Sequence, residues 1–262
     1  MKRDYCDFLD FPFRQKPRED GKISMMDYYH PIEEIEYFLR VSSEYVDYAK
    51  FIHIGLEKSL PKGWVEKKNL LYKDYRVKTY PGGIPFQVAA RQKKVPAYFN
   101  WLIEQGFDGV EISDDALTYN IKADEWDGMI KLALDKGLFV ITELGKKNPQ
   151  EPLNLEEAHD RIQHELSLGV IHVTIERSEL DLYLKGDPSP LQNLIKKVGL
   201  KGILFEPGPY GFPHIHRWLL RYFGPNINMG NIHKDEVVHL EFARRGFGRL
   251  GDPSIDFSFF FE

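Results

Sequence analysis

Leu138-Phe139-Val140-Ile141-Thr142-Glu143-Leu144-Gly145-Lys146-Lys147 is the stretch on which the fold turns. Its short apolar run reads as a buried strand, and it stops on a carboxylate before a glycine turn and two lysines. A charge at the end of such a strand is costly unless it is paired, metal-bound or used. The same pattern recurs at Val110-Glu111-Ile112-Ser113, at Val173-Thr174-Ile175-Glu176 and at Ile203-Leu204-Phe205-Glu206. Four apolar runs therefore carry a glutamate at or near their downstream ends.

Working outward, helical patterns separate these runs. A helix over 124–136 closes at Gly137 ahead of the Glu143 strand. A helix over 154–168 opens on Asn154 with Glu157 at capping-box spacing and ends at Gly169. Upstream, strands are expected at 22–27, ending on Asp27, at 46–54, containing Lys50, and at 77–80. The last breaks at the turn Pro81-Gly82-Gly83. Helices are expected from Pro31, over 60–75 and over 96–105. Downstream come a helix over 190–198, a strand over 202–206, a helix over 212–223, a strand over 226–232 and a helix over 234–245. Strand and helix alternate eight times with short links, which predicts an α/β protein, a single (β/α)8 TIM barrel. An open doubly wound sheet is the alternative, but no Gly-x-Gly-x-x-Gly follows the first strand. The barrel is expected over residues 22–250, between an N-terminal arm (1–21) and an aromatic tail (251–262).

Composition narrows the classes. With 262 residues, 42% hydrophobic and 29% charged, the chain suits one large globular domain and not a disordered one. A net charge of −5 gives no electrostatic case for a nucleic-acid partner. Cys6 is the only cysteine, which excludes an internal disulfide and a thiolate metal cluster. No apolar stretch approaches the length of a membrane span and no basic start precedes an apolar one, so no membrane partner is expected and the location expected is cytoplasmic. Phe8, Phe11 and Phe13 in the arm, and Phe257, Phe259, Phe260 and Phe261 in the tail, are expected to bury against the barrel or a sister chain, making a homo-oligomer.

In a barrel the downstream strand ends converge on one mouth. That would gather Asp27, Lys50, Glu111, Glu143, Glu176 and Glu206, with Ser113 on the same side of its strand as Glu111. Carboxylates so gathered take up protons unless a cation joins them, and without clustered Cys or His the oxygen-seeking Mg²⁺ is the natural candidate. A metal there can hold a substrate carboxylate and stabilise enolate-like charge, while a nearby lysine moves a proton at carbon. Lys146 and Lys147 are adjacent, so at most one is expected to face the mouth. Asn228, Gly230 and Asn231 close the eighth strand, where barrels often bind phosphate, although simple turn chemistry would explain them equally.

The same residues resemble the phosphosulfolactate synthase family from about residue 21 to 246. The resemblance rests on Asp47-Tyr48-Ala49-Lys50-Phe51, Tyr80-Pro81-Gly82-Gly83, Val110-Glu111-Ile112-Ser113-Asp114 and Thr142-Glu143-Leu144-Gly145-Lys146-Lys147, extended by Phe205-Glu206 and Gly224-Pro225-Asn226-Ile227-Asn228-Met229-Gly230-Asn231-Ile232. It implies a barrel enzyme that adds sulfite to phosphoenolpyruvate with Mg²⁺, an early step toward coenzyme M. It also implies a proton-donating lysine in the Gly-Lys-Lys turn, which maps to Lys146 with Lys147 in reserve, an arginine role for Arg177, and Gly82, Gly83 and Ser113 among the substrate-binding residues.

The sequence departs from the family pattern around the mouth. Ile52-His53-Ile54-Gly55-Leu56 stands where Gly-Trp-Gly-Thr-Ser is usual, Asp27-Tyr28-Tyr29 where Asp-Lys-Gly is usual, and Asp115 where a glycine is usual. Ile84 and Gln87 replace a Thr and a Glu. Three readings follow: the family reaction or one with a replacement nucleophile, a metal-dependent lyase or isomerase of another carboxylate, and a non-catalytic binding relative.

Overall fold

The computed structural model describes residues 14–117, 121–147, 149 and 151–246. Cys6 and the arm and tail phenylalanines lie outside the described residues. Eight parallel strands form one sheet in the order β3-β2-β1-β8-β7-β6-β5-β4. They are β1 (Ile23–Asp27), β2 (Tyr48–Phe51), β3 (Lys78–Pro81), β4 (Gly109–Ile112), β5 (Phe139–Leu144), β6 (His172–Ile175), β7 (Ile203–Phe205) and β8 (Asn228–Ile232). The Asp108 amide donates to the Thr79 carbonyl at 3.0 Å, which brings the two sheet edges, β3 and β4, together. The result is a nearly closed (β/α)8 barrel, as the alternation predicts.

The helices are α1 (Ile32–Ser42), α2 (Trp64–Asp74), α3 (Gly83–Arg91), α4 (Val95–Glu104), α5 (Ala123–Asp135), α6 (Leu155–Leu168), α7 (Arg177–Leu184), α8 (Ser189–Val198), α9 (His214–Phe223) and α10 (Val237–Arg244). None is long and apolar enough to cross a membrane. Asn154 caps α6 as its spacing predicts, its side chain accepting from the Glu156 and Glu157 amides. Two helices depart from the sequence reading. The Pro81-Gly82-Gly83 segment is not a free turn: Gly83 is already the first residue of α3. α7 begins directly after Glu176, too short and too polar to announce itself by periodicity.

Strand alternation sorts the side chains into two populations. Outward residues such as Met25, Phe51, Val110, Val140, Ile175 and Phe205 pack with the helices into one continuous core. Inward residues at the upstream strand ends make a separate aromatic cluster of Tyr48, Tyr80 and Phe139 with Ile141. Their rings meet at centroid distances of 5.6 to 6.3 Å and steep angles, the edge-to-face arrangement that aromatic quadrupoles favour. This layer fills the barrel axis, leaving the polar inward residues above it at the downstream end.

Candidate active site

One cavity of about 240 Å³ occupies that downstream end. Lys50, Glu111, Glu143 and Glu206 line it, with Lys147 and Asp115 at its side. Glu176 joins the group: Asp115, Glu143 and Glu176 each place a carboxylate oxygen within 4.8 Å of the other two. The four strand-end glutamates thus converge, although they come from four different strands.

Lys50 Nζ sits 2.9 Å from Glu111 and 3.7 Å from Glu206, with only 7% of its side chain exposed. Burial alone would depress its pKa. The carboxylates of Glu111 and Glu206, aided by Tyr80 and Glu143, outweigh burial and hold the ammonium well above its ordinary value. Lys147 Nζ lies 2.5 Å from Asp115 and 3.8 Å from Glu176. Its pKa is likewise raised, because Glu143, Glu176 and Asp115 together overcome the burial penalty. Asp115 moves the opposite way: burial pushes it up, but Lys147 and hydrogen bonds from Gln87 and Ser113 bring it below the usual carboxylate range.

Two carboxyl groups resist ionisation. Glu143 is raised well above its ordinary value, first by burial and then by Glu206, Glu111 and Asp115. Glu206 is pushed up to about 7, mainly by burial, with Glu176 and Glu111 adding to it and Lys50 opposing. These oxygens are also short of partners. Glu176 Oε2, Glu206 Oε2 and Asn231 Oδ1 are buried and accept no hydrogen bond among the described residues. Unfilled carboxylate oxygens in an all-oxygen cluster are the donor set a hard divalent ion takes.

Two glycines make the geometry possible. The Gly83 amide donates to Glu111 Oε1 at 2.7 Å, and a Cβ at Gly83 would fall 2.0 Å from Ser113 Oγ. Gly145 has φ +117°, and a Cβ there would meet Glu179 Cγ at 2.5 Å and Glu176 Cβ at 3.0 Å. It lets the chain turn sharply after β5, so that Lys147 swings back over the cavity.

That turn decides the lysine question. Lys146 Nζ bonds the Asp114 carbonyl at 2.9 Å and its carboxylate at 3.2 Å, away from the cavity lining. Lys147 lines the cavity, whereas Lys146, the residue expected there first, does not. Asp27 is also corrected. It shares the outward face of β1 with Met25, where Lys68 and the Tyr72 hydroxyl, each at 2.7 Å, bind its carboxylate. Arg177 does not line the cavity either; it bonds Asp181 and the carbonyls of Pro207 and Pro209, tying down the loop after β7. Asn228 sits at the upstream end of β8, accepting from the Lys22 amide and donating to the Leu200 and Ile203 carbonyls. Gly230 packs on Leu204, so of that segment only Asn231 reaches the mouth. Gly82, Gly83 and Ser113 do line the cavity.

Of the departures from the family pattern, Asp115, His53 and Tyr28 line the mouth; Met26 lines it too, a residue the sequence did not single out. Asp115 continues the Glu111–Ser113 alternation by one more step, and that was its signal. His53 is held below its ordinary pKa, chiefly by burial and then by Lys147 and Lys50, and is neutral near pH 7.

Known proteins agree with this architecture. Solved barrels sharing the fold include 3-dehydroquinate dehydratase from Enterococcus faecalis, with TM-score 0.54 and 12% identity over 85% of this chain and 93% of that one. Orotidine 5'-phosphate decarboxylase from Pyrococcus horikoshii gives TM-score 0.52 and 10% identity over 86% and 100%. At such identities the likeness concerns the fold alone. In sequence, phosphosulfolactate synthase of Methanocaldococcus jannaschii is 32% identical, covering 90% of this chain and 95% of the relative. That of Methanothermobacter thermautotrophicus is 31% identical, covering 92% and 94%. The sequence model described as (2R)-phospho-3-sulfolactate synthase (ComA) matches residues 12–249. With that match spanning nearly the whole barrel, the chain belongs to the phosphosulfolactate synthase family of enzymes.

Proposed function

We propose that the mouth carries out the Mg²⁺-assisted addition of sulfite to phosphoenolpyruvate. The observation that carries this reading is the charge balance. Five carboxylates, Glu111, Asp115, Glu143, Glu176 and Glu206, face two ammoniums, Lys50 and Lys147. A pocket so balanced repels two anionic substrates unless a divalent cation joins the carboxylates. Asp115, Glu143 and Glu176 would hold that ion. When bound, Mg²⁺ supplies a Lewis acid for the substrate carboxylate and for the negative charge that develops beside it.

In the addition, the sulfur lone pair forms the C–S bond at C3 of phosphoenolpyruvate. The C=C electron pair moves to C2 and spreads into the carboxylate, and a proton then adds at C2. The phosphate ester stays intact. Lys147, protonated and steered by Asp115 and Glu176, is the group at the cavity edge able to deliver that proton. Lys50, locked deeper between Glu111 and Glu206, stays cationic and offsets charge developing beneath the substrate. Ile52 and Ile84 form an apolar wall that limits water at the reacting carbons.

One observation favours a second reading of the nucleophile. A hollow of about 440 Å³, lined by Tyr28, Tyr210 and Phe212 with His233 and Glu236 at its side, adjoins the mouth through the shared residues Met26, Tyr28 and Pro209. Sulfite has no use for an aromatic annex, whereas a bulkier and less charged nucleophile would fill it. The deciding experiment measures product formation from phosphoenolpyruvate and Mg²⁺ with sulfite, and then with a panel of thiols and amines. Efficient sulfite addition supports the family reaction. Turnover only with a bulkier partner supports the second reading, and no product with any partner refutes both.

A further inference from the structure

A second hollow, of about 220 Å³, opens at the other end of the barrel. Five cations line it, Lys16, Arg18, Lys22, Arg76 and Lys78, around the Tyr48 ring and one carboxylate, Asp47. Lys78 and Tyr48 begin β3 and β2, so the hollow sits beneath the upstream strand ends. The aromatic layer of Tyr48, Tyr80 and Phe139 separates it from the mouth.

Among the described residues the five cations outnumber their carboxylate partners Asp47, Glu44 and Glu241, the last lying 3.7 Å from Arg18. Asp47 is already engaged, accepting from Arg18 Nε at 3.3 Å and from the Ile23 amide at 2.9 Å. Arg76 pairs with Glu44 at 2.8 Å. Lys16, Lys22 and Lys78 have no carboxylate within ion-pair distance among the described residues. Among the described residues Lys16 Nζ donates to the Arg76 carbonyl alone, at 3.2 Å. Lys22 Nζ donates to the Tyr48 hydroxyl at 3.3 Å and lies 5.7 Å above its ring. Lys78 Nζ rests 5.8 Å from the centre of the Phe139 ring.

Three ammoniums with no carboxylate partner among the described residues gather positive charge around one concavity. Here the Arg18 side chain, only 4% exposed, forms the floor, Lys16 and Lys22 are half-buried, and Lys78 and Arg76 stand at the exposed rim. Lys16 is pushed down to about 8, chiefly by burial, with Asp47 opposing and Arg18 and Arg76 adding. Lys22 is lowered too, again mainly by burial. An anion with several acceptor oxygens would answer the charge that the described residues leave unmatched.

We propose that this basal hollow binds a small anion bearing a phosphate or sulfonate group, at a site separate from the mouth. Its volume admits a small molecule and no more. The ammoniums and the Arg18 fork would surround a tetrahedral oxyanion, and occupancy would fasten the segment around Lys16 and Arg18 to β2 and β3.

The test is thermal unfolding and calorimetric titration with inorganic phosphate, with sulfate as a parallel arm and chloride at equal ionic strength as the control for screening. Parent protein, Lys147→Ala and Lys16→Ala/Lys78→Ala are compared. Phosphate is expected to raise Tm saturably in the parent and in Lys147→Ala. In the basal double variant its affinity is expected to fall by about tenfold or more, while phosphate-free turnover at the mouth stays unchanged. An equal response to sulfate supports recognition of any tetrahedral dianion; a response to phosphate alone supports recognition of a phosphoryl group. The proposal is overturned if chloride reproduces the shift, if the basal double variant responds like the parent, if Lys147→Ala alone removes the response, or if phosphate has no effect.

Discussion

Replacing Glu206 with Gln should make the protein more stable and less active, and only above a certain pH. In the folded protein Glu206 is raised from 4.5 to about 7. Between those values the folded chain keeps a proton that the unfolded chain releases, so stability falls as pH rises through that window and levels off above it. The displacement corresponds to about 3 kcal/mol of penalty for carrying the ionised carboxylate at pH 8. Gln cannot ionise, and Lys50 keeps its nearer partner, Glu111, at 2.9 Å. Glu206→Gln should therefore gain up to about 3 kcal/mol at pH 8, or about 6–12 °C in Tm for a chain of this size. At pH 4 the gain should nearly vanish, because the parent carboxyl is then protonated in the folded state and largely so in the unfolded one. The assay is thermal unfolding by circular dichroism at both pH values, with a chelator present. A loss of stability at pH 8, or an equal change at both pH values, would show that burial and charge crowding at Glu206 have been misjudged.

Lys147→Ala should lower turnover by about two to four orders of magnitude, while Lys146→Ala leaves it close to the parent; steady-state kinetics of the pair separates them. Lys147→Ala should also bind Mg²⁺ more tightly than the parent, since it removes an ammonium competing for Asp115 and Glu176, and Asp115→Asn should bind it more weakly; calorimetry with Mg²⁺ alone reads both. Asp27→Asn strips the partner from the fully buried Lys68 and should cost about 3–5 kcal/mol of stability by denaturant titration, without changing turnover per folded molecule. Light scattering at micromolar concentration should show a homo-oligomer, and a monomer would remove the assembly role inferred for the aromatic ends.

The barrel could be read from the sequence because the strands are short buried runs and several helices end at glycines, as α5, α6, α8 and α9 do at Gly137, Gly169, Gly199 and Gly224. The strand-end glutamates were legible for the same reason: once a strand's downstream end is known, alternation says what faces inward. The failures share a cause, which is that alternation has no origin without a register. Asp27 lies in step with Ile23 and Met25, so it faces the helices, yet its charge at a strand end suggested the mouth. Asn228 and Asn231 bracket one strand and therefore lie at opposite ends of the barrel interior, a difference that composition cannot show. The choice between Lys146 and Lys147 depended on the positive φ at Gly145, which spacing does not reveal. Asp115 gave a weaker signal, because it lies three residues past the end of β4, where the alternation of a strand need not continue.

The central claim is that this carboxylate-lined mouth accepts phosphoenolpyruvate only together with a divalent cation. Calorimetric titration of phosphoenolpyruvate into the protein, with Mg²⁺ and then with a chelator, measures it directly. The account predicts saturable binding with Mg²⁺ and none with the chelator. Equal affinity under both conditions would contradict it.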